Sequence, residues 1–553
     1  MSDTSVRTIP DILETASQTW PDQPALSFVD GTPLSFGATE DLSARVGAGL
    51  MQKGLNTDSH VAILSENMPH WGVAYFAITR IGAAVVPILP DFSAHEVKNI
   101  LEHAEVKTVF VSERQRPKIT DLIDAGKIIA IPIETLEGVI SDQRADRMAI
   151  DEGDLAAIIY TSGTTGTSKG VMLTHRNIVS NVLVARTIPA IEAGQSMLSV
   201  LPLSHTYECT LGFLVPISSG ACVYYLSKPP SPTVLMPALD KIRPHLMLSV
   251  PLFIEKIFRN RVLPQITGKA LLRMLYRIRP VQKLLHRAAG RKVYAMFGGR
   301  LHFFGVGGAK LAPDVERFLR DARFPYAIGY GLTETSPLVA GSAPQDTTFQ
   351  AIGPVVDGVS VRLSEEGEVQ VKGPNVMAGY FRNETQTSEV FTADGWFRTG
   401  DIGTLSKDGV LALRGRIKNM ILGPSGENIY PEQIEAVINE KDYVEESLVM
   451  QVSGKLVGKV YLNYEALLDH IAAVRSDVKD WHAAVGAQAK DQSEQIKLAV
   501  DAFRDDVNQY LKDCRERVNS ELSSYARIAE MVLQMEPFEK TPTMKIKRYL
   551  YTE

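Results

Sequence analysis

Cysteine is scarce in this chain. Cys209, Cys222 and Cys514 are the three among 553 residues, and no two stand in a Cys-x-x-Cys pair. That usage argues against a disulfide framework or a cysteine metal cluster and suits a reducing compartment. An excess of one charge is missing too. Lys and Arg number 58 against 64 Asp and Glu, a formal net charge of −6, so no global basic field points to nucleic acid. Long hydrophobic runs are absent: stretches such as Ile81 to Leu89 are too short to span a bilayer. The opening MSDTSVRTIPDILETASQTW lacks the apolar core of a secretory signal, so a cytoplasmic protein is expected. Apolar residues at 45% and charged residues at 22% are ordinary for a globular chain. The length exceeds what one hydrophobic core supports, which predicts at least two domains.

What is present is a rhythm. VAILS from Val61 reads as a buried strand, WGVAYFAITRIG as a helix, AAVVPIL as a second strand, and HEVKNILEHA as a helix before KTVFVS. Short apolar strands alternating with amphipathic helices predict stacked βα units and a mainly parallel sheet. The rhythm returns at Ala156 to Tyr160 and at Leu301 to Val306. From Val359 it gives way to short alternating strands around glycine turns, VSVRLSEEGEVQVKG, which suits a small β-rich subdomain.

Two segments stand apart. Lys256 to Lys292 holds eleven Lys or Arg and no Asp or Glu. Lys269, Arg273 and Arg277 recur every four residues, with Leu272, Leu275 and Ile278 on another face up to Pro280. A basic amphipathic helix can lie on an anionic membrane surface, or it can sit inside against acidic neighbours or ligand phosphates. Both readings stay open. The second segment, Glu465 to Tyr525, reads as almost wholly helical. Leu467, Ile471, Val474, Val478, Trp481 and Val485 alternate spacings of four and three. Ile496, Val500, Phe503, Val507, Tyr510 and Cys514 do the same after a break near Gly486. The pattern predicts a helical hairpin or coiled-coil pair, either packed on its host domain or held out as a partner-binding arm.

The densest chemistry lies at Tyr160 to Val171, YTSGTTGTSKGV, directly after the strand-like AAIIY. Gly163 and Gly166 let the backbone approach an anion. Hydroxyls of Thr161, Ser162, Thr164, Thr165, Thr167 and Ser168, with the Lys169 ammonium, supply donors and charge for phosphate oxygens. A Walker A loop needs glycine before its lysine and Ser or Thr after it. Ser168 and Gly170 stand there instead, so that reading fails. GVGGAK, Gly305 to Lys310, reads as a strand end opening into a glycine turn, where missing side chains leave room for a flat base or an acyl chain. Glu334 in GYGLTETSP offers a hard oxygen of the kind Mg²⁺ prefers, which usually takes one or two carboxylates beside phosphate oxygens. Asp401 in RTGD is an acceptor-only carboxylate suited to two ribose hydroxyls. His205 in LPLSHTYE, taken alone, reads as a structural residue.

Together these segments resemble the signatures of the adenylate-forming superfamily of acyl-CoA synthetases, luciferases and nonribosomal peptide adenylation domains, in the family's order and over nearly the whole chain. The resemblance implies an α/β protein. A large AMP-binding domain, residues 1–417, would hold stacked βα sheets plus the small β-rich subdomain. A small α+β lid domain, residues 418–553, would follow through a hinge and carry a helical insertion at about 465–525. The resemblance places ATP against Thr161, Ser162, Gly163, Thr164, Thr165, Gly166 and Lys169. Gly307, Gly308 and Ala309 would line the adenine and acyl pocket, and Tyr330 would stack on adenine with Gly331 in the same turn. Thr333 would meet the α-phosphate, Glu334 would hold Mg²⁺, and Asp401, aided by Arg416, would bind ribose. His205 would sit beside the acyl pocket, Lys418 at the hinge and Gly426 at the pantetheine tunnel. The ending KTPTMKIKRYLY would supply the catalytic lysine as Lys545 rather than Lys547. Met544 stands where the family's usual ending has glycine, a variant that leans towards long-chain fatty acyl members.

The implied reaction has two steps. A carboxylate attacks the α-phosphate of ATP to give acyl-AMP and pyrophosphate; the thiol of coenzyme A then gives acyl-CoA and AMP. Lys545 would approach for the first step and withdraw by rotation about Lys418 for the second. A carrier protein as acceptor, a non-fatty acid as substrate, and a nonenzymatic interaction protein are the alternatives. Expected partners are a fatty or other carboxylic acid, ATP and CoA, and no nucleic acid. Lys256 to Lys292 is the candidate for peripheral contact at the inner membrane face.

Overall fold

The computed structural model describes residues 6–161, 169–423, 427–474, 500–501, 503–541 and 546–551. The rhythm of the sequence becomes two large sheets. The first has seven strands in the order Gly379–Tyr380, Lys169–Thr174, Leu155–Thr161, Ala84–Ile88, His60–Leu64, Thr108–Val111 and Ile129–Pro132. From Leu155–Thr161 to Ile129–Pro132 all neighbours are parallel. Its pleat explains the unbroken apolar runs. Val61, Ile63, Val85 and Phe110 face one core, while Ala62, Leu64, Val86, Val109 and Val111 face another with Val97, Ile100 and Leu101 of the helix Ala94–His103. Both faces are covered, so no polar alternation survives in the strands. That helix starts at Ser93, whose hydroxyl accepts from the Glu96 amide (3.2 Å) while Glu96 accepts from the Ser93 amide (2.8 Å).

The second sheet has eight strands in the order Leu338–Gly341, Tyr326–Gly331, Phe303–Val306, Leu246–Ser249, Ser196–Ser199, Cys222–Tyr225, Pro24–Phe28 and Leu34–Ser35. It is parallel except at its two outermost pairs. Leu26, Met197, Val223, Tyr225 and Leu246 join the core that the first sheet also feeds, with Ile12, Phe36, Trp71 and Ile178 from helices between the sheets. The opposite face, including Leu198, Met247 and Phe304, packs on Ile254, Val293, Val315 and Phe318. The α/β reading holds.

From Val359 onwards the expected β-rich unit is a five-stranded antiparallel sheet, in which Ser360–Leu363 and Glu368–Lys372 pair as a hairpin. A further three-stranded sheet, Val444–Val452, Lys455–Leu462 and Glu530–Gln534, packs with helices Pro431–Asn439 and Arg504–Glu521. Of the long helical stretch, Leu467, Ile471, Val500, Phe503, Val507 and Cys514 lie in this core. Val478, Trp481, Val485, Gly486 and Ile496 lie outside the described residues.

The basic segment departs from its expectation. One helix running to Pro280 is replaced by two, Ala270–Tyr276 and Arg279–Met296, with Pro280 in the first turn of the second, where its missing N–H breaks no helical bond. Leu272 and Leu275 are half-buried, and Leu271, Met274, Ile278 and Leu284 are exposed. Among the described residues no helix is long and apolar enough to cross a membrane.

Candidate active site

Strands Phe303–Val306 and Tyr326–Gly331 run parallel and end side by side, the first at Gly307 and the second in a turn that carries Thr333 and Glu334. Only glycine fits at Gly331, because a Cβ there would lie 1.7 Å from the Pro337 carbonyl oxygen. Two buried asparagines clamp this turn. Asn181 accepts from the Leu338 amide and donates to its carbonyl, both at 2.9 Å. Asn375 donates to the carbonyls of Thr335 (3.1 Å) and Leu338 (3.0 Å) and accepts at its own carbonyl from the Ser336 hydroxyl (2.9 Å). Thr333 and Glu334 therefore sit on a fixed support.

Glu334 leads to the lysine of the Ser/Thr/Gly loop. Its Oε1 accepts from the Tyr380 hydroxyl at 2.9 Å, and Lys169 Nζ lies 4.9 Å from the centre of the Tyr380 ring. Lys169 begins the strand Lys169–Thr174, which pairs antiparallel with Leu155–Thr161, Thr161 opposite Lys169. Ser162, Gly163, Thr164, Thr165 and Gly166 lie outside the described residues. The next element after them is a strand, so no helix N-terminus follows this loop.

A second constellation forms at Asp401, which is 6% exposed. Its Oδ2 accepts from the Tyr330 hydroxyl and its Oδ1 from Arg416 Nε, each at 2.7 Å. A carboxylate has about four acceptor positions, so two protein donors leave room for two ribose hydroxyls. Burial works against the Arg416 charge, but Asp401, Tyr330 and Glu334 outweigh it and hold the guanidinium above its ordinary range. Burial, then Asp401, pushes the Tyr330 phenol well up. Tyr330 is 8% exposed, so little of its ring is open to a base.

The other flank is built by packing. His205 Nδ1 accepts from the Tyr207 amide at 3.2 Å, which leaves the ring proton to Nε2. Tyr207 opens an eight-residue π-helical segment, Tyr207–Leu214. Its ring fills the space at Gly307, where a Cβ would lie 2.9 Å from Tyr207 Cζ, while at Gly305 a Cβ would meet Leu248 Cδ2 at 2.6 Å, Phe303 at 3.0 Å and the Tyr207 hydroxyl at 3.3 Å. At Gly308 (φ 85°) the nearest atom would be Val250 Cγ1 at 3.9 Å, so the open room is there and beside the exposed Ala309.

Lys418 lies in the short helix Ile417–Asn419, directly after the strand that ends at Arg416. Gly426 and Lys545 lie outside the described residues. Lys547 is ion-paired with Glu539 (3.7 Å), and Arg548 bonds to Glu435. Tyr380, Asn181 and Asn375 escaped the sequence reading. Asn177 and Asn181, four apart in the mostly apolar NIVSNVLV, were the available signal for the clamp.

Comparison with known proteins gives the family and the fold. The family described as AMP-binding enzyme matches residues 13–381. A long-chain-fatty-acid–CoA ligase of Mycobacterium bovis is 29% identical, over 91% of this chain and 88% of its own length. The human long-chain-fatty-acid–CoA ligase 1 is 28% identical, over 93% and 80%. Among solved structures, ATP-bound MatB from Rhodopseudomonas palustris is similar in fold, with a TM-score of 0.74 at 22% identity over 98% of both chains. The AMP complex of O-succinylbenzoate coenzyme A synthetase from Bacillus subtilis reaches the same score at 19% identity over 98% of both.

Proposed function

The chain belongs to the AMP-binding enzyme family, and from that premise we propose that it is an ATP-dependent acid–CoA ligase acting on long-chain fatty acids. One observation carries the reading. Lys169, Tyr330, Glu334, Asp401 and Arg416, drawn from segments far apart in sequence, are linked by the contacts of Tyr380 and Asp401 and by the charge shared at Arg416. The relatives named as long-chain-fatty-acid–CoA ligases supply the substrate class.

A carboxylate and a triphosphate are both anions, so the barrier to their reaction is largely electrostatic. Asp401 and Tyr330 would hold the nucleoside, and Lys169 with the 162–168 loop would hold the phosphates. Thr333 and Glu334 would face the α-phosphate. The chemistry of Glu334 fits Mg²⁺: it is a hard carboxylate held by the Tyr380 hydroxyl, and it would supply the protein oxygen beside those of the phosphates. Bound there, Mg²⁺ would neutralise charge developing on pyrophosphate. The fatty carboxylate oxygen forms a bond to the α-phosphorus as the bond to pyrophosphate breaks, with Lys545 stabilising the leaving charge. His205 and Tyr207 would border the acyl group. The CoA thiol then loses its proton and attacks the acyl carbon, AMP leaving, once rotation about Lys418 has exchanged Lys545 for the Gly426 loop. Residues 1–417 and 418–553 would be the two bodies that move.

A cytoplasmic position at the inner membrane face has physical support as well. Met274, Leu271 and Leu284, at 71, 68 and 67%, are the most exposed large apolar side chains among the described residues, and all lie in the segment with eleven cations and no acid. A buried network presents them. Tyr276 bonds His286 Nε2 (2.8 Å), His286 Nδ1 bonds Asp321 (2.9 Å), and Arg279 pairs with Asp321 (2.9 Å). Exposed Leu271, Met274 and Leu284 within a run of cations suit an anionic phospholipid surface.

The test is acid-dependent release of pyrophosphate and AMP across fatty acids of increasing length, with and without CoA. Pyrophosphate without CoA, AMP turnover only with it, and a preference for long chains are expected. Transfer to a carrier protein but not CoA would favour the alternative acceptor. Silence with every acid would overturn the reading.

A further inference from the structure

Glu208 is a buried acid that the chemistry above does not use. It is 0% exposed and stands second in the π-helical segment Tyr207–Leu214. Its Oε1 accepts from the Ser199 hydroxyl at 2.5 Å, at the end of strand Ser196–Ser199, while its Oε2 has no partner among the described residues. A glycine makes the room: a Cβ on Gly212 would lie 2.7–2.8 Å from the carboxyl atoms. Ser199 also accepts from Asn67 Nδ2 (3.1 Å), and Asn67 fastens the next loop through the Leu201 carbonyl (2.6 Å) and the Leu203 amide (2.8 Å). The chain from Ser199 to Glu208 is thus pinned at both ends, with His205 and Tyr207 inside it. A π-helical turn is rare and gathers at functional sites, so its fastening matters.

Among the described residues no cation contributes to the charge state of the carboxyl. The titratable groups around it are Tyr207 and Cys209 on its own segment and Tyr225 from strand Cys222–Tyr225, with Tyr75 behind Cys209. The Tyr225 hydroxyl is buried without a partner as well. A carboxylate enclosed without a counter-charge is disfavoured against its neutral form. Burial pushes the Glu208 carboxyl up to about 8.

We propose that Glu208 is a positioning residue for acid activation. Its carboxyl ties the π-helical segment to the end of strand Ser196–Ser199 and so holds Tyr207 against Gly305 and Gly307. Loss of its proton to solvent leaves an uncompensated buried charge behind the acyl pocket, which opposes entry of an anionic acid. The proposal rests on the ligase reading.

The experiment is the pH profile of pyrophosphate release from ATP and a fatty acid without CoA, so that thiol ionisation plays no part. The unmodified chain should lose kcat/KM for the acid above about pH 8. Glu208→Gln, neutral and of the same shape, should match it near neutrality and keep its activity at alkaline pH. Glu208→Ala should lose about tenfold in kcat/KM for the acid with the KM for ATP little changed. Should the alanine variant fail to fold, the glutamine profile decides alone. Parallel alkaline falls in the unmodified and glutamine chains, or a glutamine variant already inactive at neutrality, would overturn the proposal while leaving the ligase reading intact. No pyrophosphate from the unmodified chain would instead remove the ligase reading and this proposal together.

Discussion

The two flanks of the site are made by different means. At the nucleotide flank, charged and hydroxyl side chains meet in bonds of 2.7–2.9 Å between Tyr330, Asp401, Arg416, Tyr380 and Glu334. At the acyl flank, a π-helical turn, a buried acid and a tyrosine ring set against Gly307 shape a space. The first flank must present atoms to a polar ligand, so its residues are chemically conspicuous. The second must exclude water and fit an alkyl chain, which many apolar sequences can do.

If that division is right, breaking the nucleotide flank should cost most. Asp401→Ala strands a buried Tyr330 hydroxyl and an Arg416 charge. It should lower kcat/KM for ATP by roughly a hundredfold, with the KM for the acid nearly unchanged. Isothermal titration with ATP checks the binding part, and an equal loss towards acid and ATP would break the division. At the other flank, Gly212→Ala pushes a methyl into the Glu208 carboxyl. It should raise the KM for a long-chain acid by about tenfold and spare ATP binding, as an overpacked core site costs about 1–3 kcal/mol. Tyr380→Phe removes one hydrogen bond to Glu334 and keeps the ring under Lys169. A loss of about 1 kcal/mol, or roughly fivefold in adenylation rate, is expected from stopped-time pyrophosphate assays. Leu271→Glu with Leu284→Glu should leave kcat on a dispersed acid unchanged and abolish sedimentation with anionic vesicles. Binding of the unmodified chain to zwitterionic vesicles just as strongly would contradict the charge argument.

The same division explains what could be read in advance. Strands such as VAIL were legible because burial on both faces leaves an unbroken apolar run, and the hairpin after Val359 because apolar and polar residues alternate around a glycine turn. Lys169, Glu334 and Asp401 stood out for side-chain chemistry suited to phosphate, metal or ribose, whereas Tyr330 and Arg416 were singled out through the family resemblance. Tyr380 did not, since one tyrosine near a glycine carries no signal until its hydroxyl is seen on Glu334. Asn181 and Asn375 act on a turn far away in sequence, so the Asn177–Asn181 spacing marked a polar stripe on one helix face without showing what it clamps. The π-helical turn leaves no periodic trace over eight residues. The basic helix was expected to continue to Pro280 because periodicity does not show where a chain must turn to let Tyr276 reach His286.

The central claim is that a carboxylate attacks the α-phosphorus of one bound ATP. It is tested most directly with a fatty acid whose carboxylate oxygens carry a heavy isotope, turned over with ATP and CoA, followed by mass analysis of the products. The account predicts one heavy oxygen in the phosphate of AMP and none in pyrophosphate. Label in inorganic phosphate, or AMP free of label, would contradict it.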